Sequence, residues 1–260
     1  MRCSGVKFKS MYLFGDSHVR SYSNSSAVSQ AIFMGPGKDI NFVSLVGLLN
    51  VFVSFLSIIG FKKIDFMLVI GEPDARYATF KSWYVFEKSK PLKPNLQDRR
   101  ITGSLRRIRV FLSFLNLVGN KPKILIGAAS PDIRLERSLS KLNLGLKKIC
   151  ENHSIQFFDP NEAYTRSPNK NVFIGCSVYD ETKVDLTHLS SEISKHFDEH
   201  ISQFSYDEHI DQGDVIPLNF EVLKYMPQFN CYRFLPNGIV KLVLKSNRLL
   251  RKIILCIKGK

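Results

Sequence analysis

The sequence lacks the cysteine spacings that build metal sites or disulfide frameworks. Its five cysteines, Cys3, Cys150, Cys176, Cys231 and Cys256, are scattered, odd in number and form no CxxC pair. No zinc site and no disulfide scaffold is expected, which suits a reducing compartment. No metal or organic cofactor is implied. The segment Met1–Ser17 has no long apolar core and no A-x-A cleavage site, so a secretory signal is not expected and a cytoplasmic protein is. Internal repeats and low-complexity tracts are missing too. So is any RNP or zinc-finger pattern, and the basic clusters therefore read as solvated faces rather than as a specific nucleic-acid surface.

Acidic residues are in short supply. Against 37 Lys and Arg stand 23 Asp and Glu, a formal net charge of +14. Such a balance favours polyanionic neighbours, whether anionic lipid, acidic glycan or nucleic acid, and says nothing about fold. The 260 residues, 44% of them hydrophobic, suffice for one α/β domain with an appendage.

Charge is wholly absent from Ile40–Phe61, which is long enough to cross a bilayer. Gly47, Asn50, Ser54 and Ser57, however, recur at three- and four-residue spacing. A weakly polar stripe opposite an apolar one predicts a helix packed on a sheet, not a span.

Short apolar runs at Met11–Phe14, Ala31–Met34, Ile64–Ile70, Lys123–Ala128 and Ile155–Phe158 read as strands. Helical periodicity falls at Ile40–Ile59, Ile101–Val118, Glu136–Asn152 and Ser190–Phe204. Strands alternating with helices predict a three-layer α/β/α domain around a parallel, flavodoxin-like sheet over residues 1–204. Residues 205–260 form a basic C-terminal appendage. Ligands of such sheets bind beyond the carboxyl ends of the strands. Ser17, Gly35–Gly37 and Gly71–Asp74 all fall there.

The string LFGDSH at Leu13–His18 sets a serine at a strand-to-helix turn. A serine there projects its hydroxyl from the sheet rim and offers its own N–H to an oxyanion. A serine hydroxyl needs a base, and the base an orienting acid. Asp185-Leu186-Thr187-His188 supplies both in one short segment. Taken singly, Ser17 is equally an N-cap, Asp185 a turn residue and His188 a surface histidine. His18 adjoins Ser17, but an α-helical continuation would turn it another way. Asp16 and Asp74 read as loop organisers.

Taken together, GDS at the first strand end, a Gly-rich turn at the second, GxxD at the third and a late DxxH resemble the SGNH/GDSL hydrolase family across Met11–Phe204. The resemblance implies Ser17 as nucleophile, His188 as base and Asp185 as its orienting acid. It implies an oxyanion hole of the Ser17 N–H and a glycine N–H, from Gly35 or Gly37. The third motif departs from the family's G-x-N-D, because Pro73 stands where an asparagine amide would donate. Proline has no donor at all. Either Arg76 replaces the amide, or two donors suffice, or the site is impaired.

The longer string GEPDAR resembles a GE-x-D-x-R variant of bacterial surface-glycan acyl-modifying proteins. That resemblance implies a carbohydrate substrate and an acyl, expected to be acetyl, ester. Hydrolase and O-acyltransferase use the same triad and stay open, as does a catalytically weak glycan-binding scaffold at the membrane surface. Glu72 and Arg76 are candidates for substrate binding or for a structural ion pair.

From Ile239 to Lys260 there are seven basic residues and no acid. On a helical wheel Lys241, Lys245, Arg248 and Lys252 fall together, opposite Leu242, Leu249, Leu250, Ile253, Ile254 and Ile257, with Leu244 and Leu255 as exceptions. A basic amphipathic helix over 239–257 suits an anionic membrane surface, here the inner face, or packs on protein.

Overall fold

The computed structural model describes residues 11–34, 41–59, 63–80, 90–166, 174–176 and 184–203. Five short strands carry the fold: β1 (Met11–Gly15), β2 (Val28–Phe33), β3 (Phe66–Val69), β4 (Ile124–Ile126) and β5 (Gln156–Phe158). They pair in parallel in the order β2-β1-β3-β4-β5. Side chains alternate along each strand, and the alternation divides them between two cores. Phe14, Phe66, Leu68 and Leu125 enter one core. Leu13, Met67, Val69, Ile124 and Ile126 enter the other. Burial on both faces explains why these runs are continuously apolar.

The first core is closed by α1 (Leu45–Ile59), α2 (Glu72–Thr79), α3 (Pro94–Leu117) and α4 (Glu136–His153). At its centre Phe55 meets Phe14, Phe66 and Phe111, with ring centroids 5.4, 5.0 and 6.0 Å away. The second core is closed by a 3₁₀ helix (Ser17–Tyr22), α5 (Pro160–Arg166) and α6 (Ile193–Ser202). The three-layer α/β/α class expected from the sequence is the class found. Chain order reverses between β1 and β3. The loops leaving those two strands therefore part to opposite sides and open a crevice between them.

Several expected boundaries move. The first helix begins at Leu45 rather than Ile40, because Asn41–Ser44 forms an irregular entry held by side chains. Its stripe also faces the other way. Asn50 and Ser54 are buried, while Leu45 and Leu49 are 68% and 51% exposed. Small polar residues here permit close packing, which periodicity alone reads as an outer face. No helix among the described residues is long and apolar enough to cross a membrane. Helix α3 starts at Pro94, which is pre-organised for a first turn. Two of its arginines are half-buried and bonded to backbone carbonyls. The Arg100 Nη1 donates to the carbonyls of Tyr77 and Phe80 at 2.6 and 2.9 Å, and the Arg107 Nη1 to that of Phe42 at 3.0 Å.

Three elements escaped periodicity. Helices α2 and α5 are too short to show it. The third is an antiparallel hairpin of β6 (Ile174–Cys176) and β7 (Val184–Leu189). Asp185 and His188 thus stand on a strand, not in a loop. Residues three apart on a regular strand fall on opposite faces. The register shifts between the pairs Ile174–Leu189 and Cys176–Val184, so the hairpin is irregular just there. Gly35, Gly37, residues 205–260 and the 239–257 segment lie outside the described residues.

Candidate active site

Strand β1 ends at Gly15, where a Cβ would meet the Val69 carbonyl at 2.7 Å. Only glycine lets the chain pass so close to β3 before it turns. Asp16 then caps the 3₁₀ helix, its Oδ1 accepting the His18 N–H at 2.9 Å. Ser17 is the first residue of that helix, so its own N–H has no intrahelical acceptor.

Hydroxyls join this helix to the late part of the chain. The Ser21 hydroxyl donates to the Leu189 carbonyl at 2.7 Å, and the Ser194 hydroxyl to the Ser21 carbonyl at 2.8 Å. Asp198 accepts from the Ser25 hydroxyl and the Ser26 N–H. These ties span more than 160 residues of sequence and set β7 against the 3₁₀ helix. Ser17 Oγ consequently lies 2.7 Å from His188 Nε2. With that nitrogen unprotonated, the hydroxyl donates to it and is polarised for attack. Asp185 precedes His188 by three residues on β7.

Beside the pair, His18 does not turn away as an α-helical reading would have it. The tighter 3₁₀ turn folds its ring back, so that Nδ1 sits 2.7 Å from Asp16 Oδ1. The His18 and His188 rings lie against each other, centroids 4.6 Å apart and planes tilted by 39°. Nε2 of His18 is 3.7 Å from Glu72 Oε2. Arg20 was missed altogether. In a 3₁₀ helix residues three apart eclipse, which places Arg20 over Ser17. The spacing was in the sequence, and only the helix type was hidden. Its Nε donates to the Ser17 carbonyl at 3.2 Å. Its Nη2 lies 3.4 and 3.5 Å from the two ring nitrogens of His188.

Across the crevice, Gly71 has φ +111°, a conformation that favours glycine, and starts α2. Pro73 occupies the buried first turn of α2 and offers no donor. Glu72 and Arg76 are 2% and 1% exposed. Arg76 directs Nε (2.9 Å) and Nη2 onto Glu72 Oε1. Among the described residues no group donates a hydrogen bond to the buried Glu72 Oε2, and Glu72 lines a small recess with Asp16, His18, Tyr22, Ala129 and Leu189. Burial pushes the Tyr22 hydroxyl well above its ordinary range, and Asp159 adds to the effect. That wall of the recess is therefore neutral. Arg76 is locked in an ion pair with Glu72, and among the described residues Arg20 is the cation beside Ser17 and His188. Among the described residues no group of three or more His, Cys, Asp or Glu is placed to hold a metal ion.

Asp74 organises the loop before α1, as expected, by accepting the Phe42 N–H at 3.0 and 3.3 Å. Burial raises its carboxyl to about 7 from an ordinary 3.8, against the lowering by Ser104 and the Phe42 N–H. The folded state thus holds this proton more tightly than the unfolded chain. Stability from this group is full below about pH 4 and declines as pH rises toward 7. We expect Asp74→Asn, which keeps an acceptor for Phe42, to gain on wild type over that interval by up to about 4 kcal/mol. Urea unfolding of both proteins at pH 5 and pH 8 measures it. Parallel pH profiles would show that Asp74 is not the group responsible.

No protein-family model and no curated protein matches the sequence. Among solved structures, the chain is similar to the acetylxylan esterase Axe2 from Geobacillus stearothermophilus. The identity is 12% and the TM-score 0.47, covering 77% of this chain and 97% of that one. It is also similar to a lipase/acylhydrolase from Enterococcus faecalis, at 17% identity and TM-score 0.44, covering 75% and 94%. A third is phospholipase A1 from Streptomyces albidoflavus, at 12% identity and TM-score 0.45, covering 75% and 98%.

Proposed function

We propose that the protein is a serine-dependent acyl-ester enzyme acting on a carbohydrate, as hydrolase or O-acyltransferase. The observation that carries the reading is the 2.7 Å approach of Ser17 Oγ to His188 Nε2 at the carboxyl end of a parallel sheet. Ser17 attacks the ester carbonyl while His188 takes its proton. Asp185 is assigned the task of orienting His188. The tetrahedral oxyanion is received by the Ser17 N–H together with Gly35 or Gly37. His188 then protonates the leaving alcohol. Water or a sugar hydroxyl next attacks the acyl-enzyme, again deprotonated by His188.

Glu72 contributes its second carboxylate oxygen to the recess as an acceptor for a sugar hydroxyl. Arg76 serves by holding the first. The carbohydrate and acetyl parts of the reading rest on the resemblance of Gly71–Arg76 to the glycan-modifying variant. The basic sequence over 239–257 supports a peripheral site of action on an anionic membrane, which co-sedimentation with anionic and neutral vesicles tests.

Pro73 favours a second reading, in which the fold binds glycan with a weak or dead site. Acetate release from acetylated sugars separates the two. The enzyme reading expects Ser17-dependent release, and acetyl transfer to an added glycan if an acceptor outcompetes water. Glycan binding without any Ser17-dependent turnover would instead support the scaffold.

A further inference from the structure

We infer that Arg20 is a specificity-determining residue that recognises a carboxylate on the alcohol part of the substrate, so that the preferred substrate is the acyl ester of an acidic sugar. This rests on the proposed ester chemistry at Ser17.

The guanidinium is exposed, yet it is not free to wander, because Nε is held by the Ser17 carbonyl at 3.2 Å. Among the described residues no carboxylate pairs with it. Exposed arginines with nothing to do more often lie along the surface than across a nucleophile–base pair. Nη2 is almost equidistant from the two nitrogens of His188, at 3.4 and 3.5 Å. An atom so placed lies over the ring rather than along either lone pair. The planar fork keeps its remaining N–H groups for a ligand, and a carboxylate fits that fork in a bidentate manner.

Chemistry decides which part of the substrate it meets. His188 Nε2 must come within hydrogen-bond distance of the leaving alcohol oxygen in order to protonate it. A cation 3.4 Å from that nitrogen therefore stands on the alcohol side of the ester, within about the width of one sugar ring.

The same cation has a cost when the substrate is neutral. Proton transfer from Ser17 makes His188 an imidazolium, and a guanidinium against the ring disfavours that charge. A carboxylate on the substrate cancels the repulsion at the step where it matters. An acidic substrate is thus favoured in turnover as well as in binding. The net charge of +14 adds long-range attraction for the same class of ligand.

The test pairs two isosteric probes, O-acetylated glucuronic acid and O-acetylated glucuronamide, on wild type, Arg20→Gln, Arg20→Lys and Ser17→Ala. Wild type should prefer the acid in kcat/KM by about tenfold or more, and added salt should erode the preference. Arg20→Gln should reduce the ratio about tenfold, with part of the loss in kcat, and Arg20→Lys should keep part of it. A purely structural arginine would depress both probes alike. A wild-type ratio near one, or a ratio unchanged in Arg20→Gln, overturns the inference while leaving the ester reading standing. Calorimetric binding of glucuronate to wild type and Arg20→Gln separates the two ideas further. Arg20-dependent binding without Ser17-dependent turnover keeps the acid site and overturns the ester chemistry, whereas absence of both overturns both.

Discussion

Replacing Ser17 with alanine lowers ester turnover by at least about a thousandfold, on the proposed mechanism, because the acyl-enzyme can no longer form. The fold should not notice. Ser17 is half-buried, its hydroxyl hydrogen-bonds to His188, and it fills no core position. The expected stability change is within about 0.5 kcal/mol. His188→Ala should cost a comparable factor in turnover, and the double variant little more than either single one. Two groups that act as one unit do not add. A double variant falling by the product of the two factors would show that serine and histidine act separately. The measurement is kcat/KM on a small acetyl ester, with a urea melt of each variant.

The second large effect concerns stability, not chemistry. Arg76→Ala strands the Glu72 carboxylate at 2% exposure, and Glu72→Ala strands the guanidinium at 1%. Breaking one half of a buried pair costs about 3–5 kcal/mol, because the remaining charge is left without compensation. Replacing both with uncharged residues of similar size, as in Glu72→Gln with Arg76→Met, should recover most of that loss. The double variant would keep a carbonyl acceptor at position 72 but lose the carboxylate charge. Unfolding midpoints in urea give the comparison. A single-variant loss below about 1 kcal/mol would mean that the pair is solvated after all.

The sheet was readable in the sequence because β1, β3 and β4 are buried on both faces and so run continuously apolar. The order of loops at the strand ends was readable for the same reason. What stayed hidden depended on local helix type or on short elements. Arg20 and His18 reach the Ser17–His188 pair only because Ser17–Tyr22 is a 3₁₀ helix, and six residues carry no periodicity to announce it. The strand identity of Val184–Leu189 was masked by the polar residues it carries. The inward polar stripe of Leu45–Ile59 was misjudged because small polar residues pack as closely as apolar ones. An Arg76–Glu72 ion pair was one of two readings of the GEPDAR string, beside substrate binding, and the helix over Glu72–Thr79 makes the two residues neighbours. Its near-complete burial needed the fold.

The central claim is that Ser17 is a nucleophile activated by His188. A fluorophosphonate reports this directly, because it reacts with an activated serine and not with an ordinary surface hydroxyl. Intact-protein and peptide mass spectra of wild type, Ser17→Ala and His188→Ala, after equal exposure, should show one adduct on wild type. It should map to the peptide bearing Ser17, vanish in Ser17→Ala and fall sharply in His188→Ala. An unlabelled wild type, or an adduct that persists in Ser17→Ala, would contradict the account.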